Sequence, residues 1–136
     1  EALRFFNNDE FFTSQKIHYN DYHKHFCRSK HTKVLGESCN SYLYSEKAIE
    51  RIHRYNPQMK WIINFEYLTA LEYNRTLESL KKRLCLFPDQ QICLIEHHLL
   101  KNSPESVIRN ICHFLGIDHW FVGIESRTPG FESDTQ

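Results

Sequence analysis

Residues 90–117 constrain the fold more than any other stretch, because an apolar strand, a loop and a capped helix follow one another there. Residues 92–95, Ile-Cys-Leu-Ile, form an unbroken apolar run of strand length, which is typical of a strand covered by helices on both faces. Ser103 and Pro104 predict a helix start, since serine can accept a backbone N–H at the N-cap and proline has no N–H to lose. Gly116 predicts the helix end. The stretch therefore indicates a parallel α/β sheet.

Two upstream segments complete this α/β pattern. Residues 46–55 follow Ser45, a residue type that caps helices, and they carry apolar side chains at helical spacing. Residues 60–64, Lys-Trp-Ile-Ile-Asn, form a second buried strand, and residues 73–87 place apolar side chains on one helical face. Because parallel strands need a long crossover, we expect residues 60–64 and 92–96 to be neighbouring parallel strands joined by this helix.

Length and charge narrow the class of protein. The 136 residues suffice for one domain with a substantial core, which we expect to span residues 1–136. The 17 basic and 17 acidic residues are interspersed and give a formal net charge of zero, which argues against a nucleic-acid partner. No apolar run approaches the ~20 residues of a membrane span. Residues 118–136 are polar and rich in turn formers, so they fit either a flexible tail or a loop over a ligand.

The cysteines and histidines do not form a metal-binding motif. The five cysteines are odd in number and include no Cys-x-x-Cys pair, which argues against a zinc site or a disulfide framework. His97 and His98 are neighbours at the end of a predicted strand, where adjacent side chains point to opposite faces. We therefore expect no metal site.

Several short motifs resemble one known family, in order along the chain. The family pattern includes Gly-Glu-Lys, a Tyr-Leu-Tyr turn, a Gln-Ile strand, a Leu-Leu pair, a proline, and a helix that ends on Phe-Leu-Gly. The matching residues are Gly36-Glu37, Tyr42-Leu43-Tyr44, Gln91-Ile92, Leu99-Leu100, Pro104 and Phe114-Leu115-Gly116-Ile117. The chain thus resembles the sulfotransferases that use 3′-phosphoadenosine 5′-phosphosulfate (PAPS), of the heparan N-sulfotransferase and bacterial type.

The resemblance implies a fold and a reaction. The expected fold is a three-layer α/β/α arrangement with a short parallel sheet, which is the P-loop-like sulfotransferase fold in incomplete form. The expected reaction transfers the sulfuryl group of PAPS to a hydroxyl or amine of an acceptor, either a glycan or a small molecule, and leaves adenosine 3′,5′-bisphosphate. The implied location is the cytoplasm for a bacterial enzyme and the Golgi lumen for a eukaryotic heparan-type enzyme.

The resemblance also implies candidate site residues. In the family, a glutamate before a Phe-Phe pair is the general base, and such a group is required to remove the acceptor proton. Ala2 occupies that position here and Glu1 lies one residue earlier, so Glu1 is either a displaced base or a frayed terminal carboxylate. A family loop closes over the nucleotide through Gly-Phe, which matches Gly130 and Phe131, and Arg127 is the candidate cation beside them.

Two phosphate-binding motifs of the family do not occur in the sequence. The Gly-rich loop that cradles the 5′-phosphosulfate has no counterpart among residues 1–136, and Ser38 stands where a lysine facing the sulfuryl group is expected. Glu66 and Asn74 occupy the positions of the arginine and serine that hold the 3′-phosphate, so we expect family segments to be missing before residue 1 and after Asn64. Two hypotheses remain: a PAPS-dependent sulfotransferase, or a catalytically inactive sulfotransferase-derived binding or structural remnant.

Overall fold

The computed structural model describes residues 2–13 and 16–118, which form an α/β fold around a short parallel sheet. Strands β1 (Trp61–Phe65) and β2 (Ile92–Glu96) pair in parallel, in register from Trp61 opposite Ile92 to Phe65 opposite Glu96. The helices are α1 (Tyr19–His23), α2 (Glu46–Tyr55), α3 (Ala70–Arg83), α4 (His97–Asn102) and α5 (Pro104–Leu115). Short 3-10 turns lie at Asp9–Phe11, Asn40–Tyr44 and Asp89–Gln91. The predicted α/β class and the parallel pairing of the two strands are confirmed.

Helix α3 begins earlier than the predicted residue 73 and ends before the predicted residue 87. The Thr69 hydroxyl accepts the Glu72 backbone N–H at 3.2 Å, while the Glu72 carboxylate accepts the Thr69 N–H at 3.3 Å. This reciprocal capping box fixes the helix start at Ala70. The helix ends at Arg83, and Leu84 and Phe87 lie beyond it in the core. Apolar periodicity alone therefore misplaced both ends of the helix.

The other predicted helix ends are partly confirmed. Ser45 caps α2 by accepting the Ala48 N–H at 3.1 Å. Gly116 ends α5 with φ 70°, a left-handed conformation that glycine adopts at little steric cost. Ser103, in contrast, makes no side-chain capping bond, although Pro104 does occupy the first turn of α5.

The sheet is less covered than its apolar strands predicted. Within the described part of the chain it has two strands, so each strand has one unpaired edge. Ile62 and Leu94 remain 42% and 37% exposed, whereas Ile63 and Ile95 are buried. The expectation that residues 92–95 are buried on both faces was therefore wrong for Leu94, which keeps more than a third of its surface exposed.

The core lies between α2, β1 and the N-terminal segment. Its members are aromatic and aliphatic side chains from distant parts of the chain, chiefly Phe5, Phe6, Tyr22, Tyr42, Ile49, Ile52, Ile63, Leu84 and Phe87. Arg51 of α2 fastens the N-terminal segment to this core by donating to the Phe6 carbonyl at 3.0 Å and to Asp9 at 2.6 Å. The hydrogen bond from Arg51 also lowers the pKa of the exposed Asp9 carboxyl. These contacts hold the N-terminal segment against α2, and the Asn7 amide donates to the Ser41 hydroxyl at 2.7 Å in the loop before it.

No helix in residues 2–13 and 16–118 combines the length and the apolar character that crossing a membrane requires.

Candidate functional site

A cleft of about 410 Å³ lies where the N-terminal segment meets the loop before α2. Its lining residues are Ala2, Leu3, His25, Phe26, Gly36, Glu37 and Ser38. We call it the Glu37 cleft. Ala2 and Ser38 occupy the positions at which the family resemblance expects a general base and a lysine. The fold therefore brings together two positions that are 36 residues apart in the sequence.

Glu37 is the carboxylate of this cleft, and its two oxygens have different surroundings. Oε1 accepts hydrogen bonds from the Tyr22 hydroxyl at 2.9 Å and from the Tyr42 hydroxyl at 3.0 Å. Oε2 is buried and has no hydrogen-bond partner among the described residues. An unpartnered buried carboxylate oxygen is costly in an otherwise satisfied site. The arrangement leaves one oxygen of a fixed carboxylate, on a residue that lines the cleft, with no hydrogen bond among the described residues.

The two tyrosines are held by the aromatic core. Tyr22 lies on α1 and Tyr42 on the 3-10 turn Asn40–Tyr44, and each is only 5% exposed. The Tyr22 ring stacks on Phe5 at a centroid distance of 4.8 Å, and the Phe6 backbone N–H donates to the Tyr42 oxygen at 3.4 Å. Both hydroxyls are thus fixed before any ligand binds, and they orient Glu37.

Burial raises the pKa of Tyr22 and of Tyr42 well above the usual tyrosine value, and the neighbouring Glu37 carboxylate raises both further. Both hydroxyls therefore keep their protons and remain donors to Glu37 over the whole neutral range.

The raised pKa values of Tyr22 and Tyr42 predict that the stability of the fold depends on pH. Above about pH 10 a tyrosine in the unfolded chain loses its proton, while Tyr22 and Tyr42 retain theirs in the fold. The folded state then binds more protons than the unfolded state, so the free energy of unfolding should fall as the pH rises above about 10. Urea denaturation between about pH 8 and pH 11 measures this, and Tyr22→Phe should weaken the dependence. If the free energy of unfolding fell equally steeply with pH in the wild type and in Tyr22→Phe, Tyr22 would not be the group that retains its proton in the fold.

The carboxyl end of the sheet carries a second cluster of polar side chains. The Glu66 carboxylate contacts His97 Nε2 at 3.1 Å, and the Asn64 amide contacts His97 Nδ1 at 3.0 Å. Tyr67 donates to Glu96 at 3.2 Å. Because Glu66 stands where the family has a phosphate-binding arginine, this edge would repel a phosphate instead of holding it. Within residues 2–13 and 16–118, no three potential metal ligands come together.

The site residues predicted from the family resemblance are not among the residues that the structure describes. Glu1, Arg127, Gly130 and Phe131 fall outside the described residues, so their roles stay predictions. Sequence reasoning assigned no role to Glu37, although the Gly36-Glu37 motif matches the family pattern. Its importance depends on Tyr22 and Tyr42, which reach it only in the folded chain.

Comparisons with known proteins support the fold. No protein-family model and no curated protein matches the chain. Among solved structures, the crystal structure of a sulfotransferase from Alicyclobacillus acidocaldarius matches with a TM-score of 0.62 at 18% identity. The match covers 86% of this chain and 63% of that sulfotransferase, so the chain spans less than two thirds of its length. At this identity the likeness establishes a sulfotransferase-like fold.

Proposed function

We propose that this chain acts in the transfer of a sulfuryl group from PAPS to a hydroxyl or amine of an acceptor, a glycan or a small molecule. The observation that carries the proposal is the Glu37 cleft. A fixed carboxylate with one unpartnered oxygen lies between Ala2 and Ser38, the positions that the resemblance assigns to the reaction centre. The sulfotransferase-like fold supports the same reaction class.

In this proposal, Glu37 is the general base. Its unpartnered Oε2 would accept the proton of the acceptor hydroxyl or amine as the acceptor atom bonds to sulfur, while the sulfur–oxygen bond to the 5′-phosphate breaks and adenosine 3′,5′-bisphosphate leaves. Tyr22 and Tyr42 donate to Oε1 and so fix the position of the carboxylate, and Glu37 lines the cleft. Leu3 and Phe26 give the cleft apolar walls against which an acceptor can pack. When bound, PAPS supplies the sulfuryl group.

The described residues do not fit the phosphates of PAPS. A charge-assisted hydrogen bond contributes roughly 1.5–3 kcal/mol, and the expected arginine position is occupied by Glu66. Arg127, Gly130 and Phe131 are the residues that the resemblance proposes for the nucleotide. We therefore assign no step to the phosphate-binding groups.

The experiment that tests the proposal is a transfer assay with radiolabelled PAPS. The purified chain is incubated with labelled PAPS at about millimolar concentration and with separate sets of hydroxyl and amine acceptors, glycans included. We expect label to move into at least one set in proportion to protein concentration. Absence of label from every set, with the protein folded, would favour a binding or structural role instead.

A separate prediction concerns nucleotide affinity. Loss of two or three charge-assisted contacts should weaken binding by about two to five powers of ten. We expect the 136-residue chain to bind adenosine 3′,5′-bisphosphate no tighter than roughly 100 µM in calorimetric titration. Ser38→Lys should tighten binding by about tenfold, because it restores a cation at the expected position. Asn40→Lys, an added charge outside the cleft, is the control. Micromolar binding by the wild-type chain would show that other residues replace the expected phosphate ligands.

A further inference from the structure

A second groove, of about 260 Å³, lies between α3 and the turn before α2. Its lining residues are Leu43, Tyr44, Arg75, Thr76, Ser79, Leu80 and Arg83. We call it the arginine groove. None of these residues lines the Glu37 cleft. Two guanidinium groups, two hydroxyls and an aromatic ring therefore share one concave surface outside the site described above.

Arg83 is held in place inside this groove. Its Nη1 donates to the Leu43 carbonyl at 3.0 Å and its Nε contacts the Ser79 hydroxyl at 3.3 Å. Its guanidinium carbon lies 5.5 Å from the centre of the Tyr44 ring. These contacts leave the Nη2 amino group without a partner among the described residues. Arg83 is thus a preorganised cation with donors still available.

Arg75 is the second cation, and its side chain makes no hydrogen bond or ion pair with the described residues. It precedes Arg83 by about two helical turns, so the two lie on the same side of α3, roughly 12 Å apart along the axis. Glu72, one turn before Arg75, is occupied by the capping box with Thr69. Glu78 follows on the same helix but does not line the groove. The lining itself therefore carries two positive charges and no carboxylate.

Tyr44 adds an aromatic surface that remains largely exposed beside Arg83. Its side chain is 77% exposed, although it follows Tyr42, which is buried and points to Glu37. A large exposed aromatic beside a fixed guanidinium is a surface on which a planar ring or a sugar face can stack. The hydroxyls of Thr76 and Ser79 can donate to an oxyanion between the two arginines.

We propose that the arginine groove binds a phosphate or sulfate monoester, with the oxyanion on Arg75 and Arg83 and the ring or sugar of the ester against Tyr44. Paired guanidinium groups match the oxygens of a tetrahedral oxyanion, and the adjacent ring favours an ester over the free ion. The site is separate from the Glu37 cleft. Binding of an ester in the arginine groove does not require sulfuryl transfer at the Glu37 cleft. Failure of one proposal would therefore leave the other standing.

The test is an NMR titration of the full chain with phenyl phosphate, followed by backbone amide shifts. We expect saturable shifts at Tyr44 and Ser79 and none at Glu37. Inorganic phosphate should bind about fivefold more weakly, because it lacks a ring to stack on Tyr44. Arg75→Gln should weaken phenyl phosphate binding by about tenfold or more. It is the decisive variant, because Arg75 has no described contact whose loss would disturb the fold.

Lys82→Gln is the matched control, since it removes a charge from the same helix outside the lining. It should leave the affinity within about twofold. Adenosine 5′-monophosphate and N-acetylglucosamine 6-sulfate are titrated in parallel to distinguish a nucleotide from a sulfated sugar as the ligand. The probe that binds more tightly identifies the class of ligand. The proposal is overturned if no probe saturates, if Arg75→Gln binds like wild type, or if Lys82→Gln weakens binding as much as Arg75→Gln does.

Discussion

Phe6→Ala is expected to lower the free energy of unfolding by about 3–5 kcal/mol, the usual cost of truncating a buried phenylalanine. The Phe6 side chain is 1% exposed and lies at the centre of the aromatic core. Its ring meets Tyr22 and Tyr42 edge to face, at centroid distances of 5.1 and 5.8 Å. The substitution removes these contacts and leaves a cavity in the aromatic core. Urea denaturation followed by circular dichroism measures the change.

The matched control is Phe11→Ala. Phe11 belongs to the same aromatic group, since its ring stacks on Phe5 at 5.0 Å, but its side chain is 41% exposed. We expect a loss of at most about 1 kcal/mol, because 41% of Phe11 already contacts water whereas Phe6 is almost completely buried. Similar losses in both variants would mean that residues 2–12 do not form the core described here.

The strands were predicted well because the signals that mark a strand lie within a few consecutive residues. The apolar runs at residues 60–64 and 92–95 mark strands whatever lies around them, and Gly116 marks a left-handed helix end. The start of α3 was missed because the predicted helix was taken from the apolar face that begins at Tyr73, although residues 69–72 contain a Thr-x-x-Glu capping signal. Exposure of Leu94 was unpredictable, since it depends on which elements cover the sheet.

The site was harder to predict because it is built from distant residues. The hydroxyls of Tyr22 and Tyr42 donate to Glu37, although these tyrosines are 15 and 5 residues away from it in the sequence. Ala2, near the start of the chain, lines the same cleft. The resemblance directed attention to Glu1, where a family glutamate was expected. The unpartnered Oε2 of Glu37 is a property of packing, so no motif alone could reveal it.

Glu37→Gln is expected to lower the rate of sulfuryl transfer by about 10²–10⁴-fold, the contribution typical of a general base. Glutamine has nearly the same shape, and its carbonyl oxygen can still accept from Tyr22 and Tyr42. Its amide cannot take a proton from the acceptor. The substitution therefore removes the group that accepts the proton while it retains the hydrogen bonds from the two tyrosines.

Glu10→Gln serves as the control for the loss of one carboxylate. Glu10 is exposed and lies outside the cleft, so this variant should transfer at the wild-type rate. Near-ultraviolet circular dichroism, which reports on the aromatic core, should be unchanged in both variants. A changed spectrum for Glu37→Gln would indicate a structural role of Glu37 in place of a catalytic one.

The most direct test of Glu37 as the base in sulfuryl transfer is the rate of label transfer from PAPS at saturating acceptor, measured for wild type, Glu37→Gln and Glu10→Gln. We predict transfer by wild type and by Glu10→Gln, with Glu37→Gln slower by at least about a hundredfold at the same folded fraction. Equal rates for wild type and Glu37→Gln, or no transfer by any of the three proteins, would contradict the account.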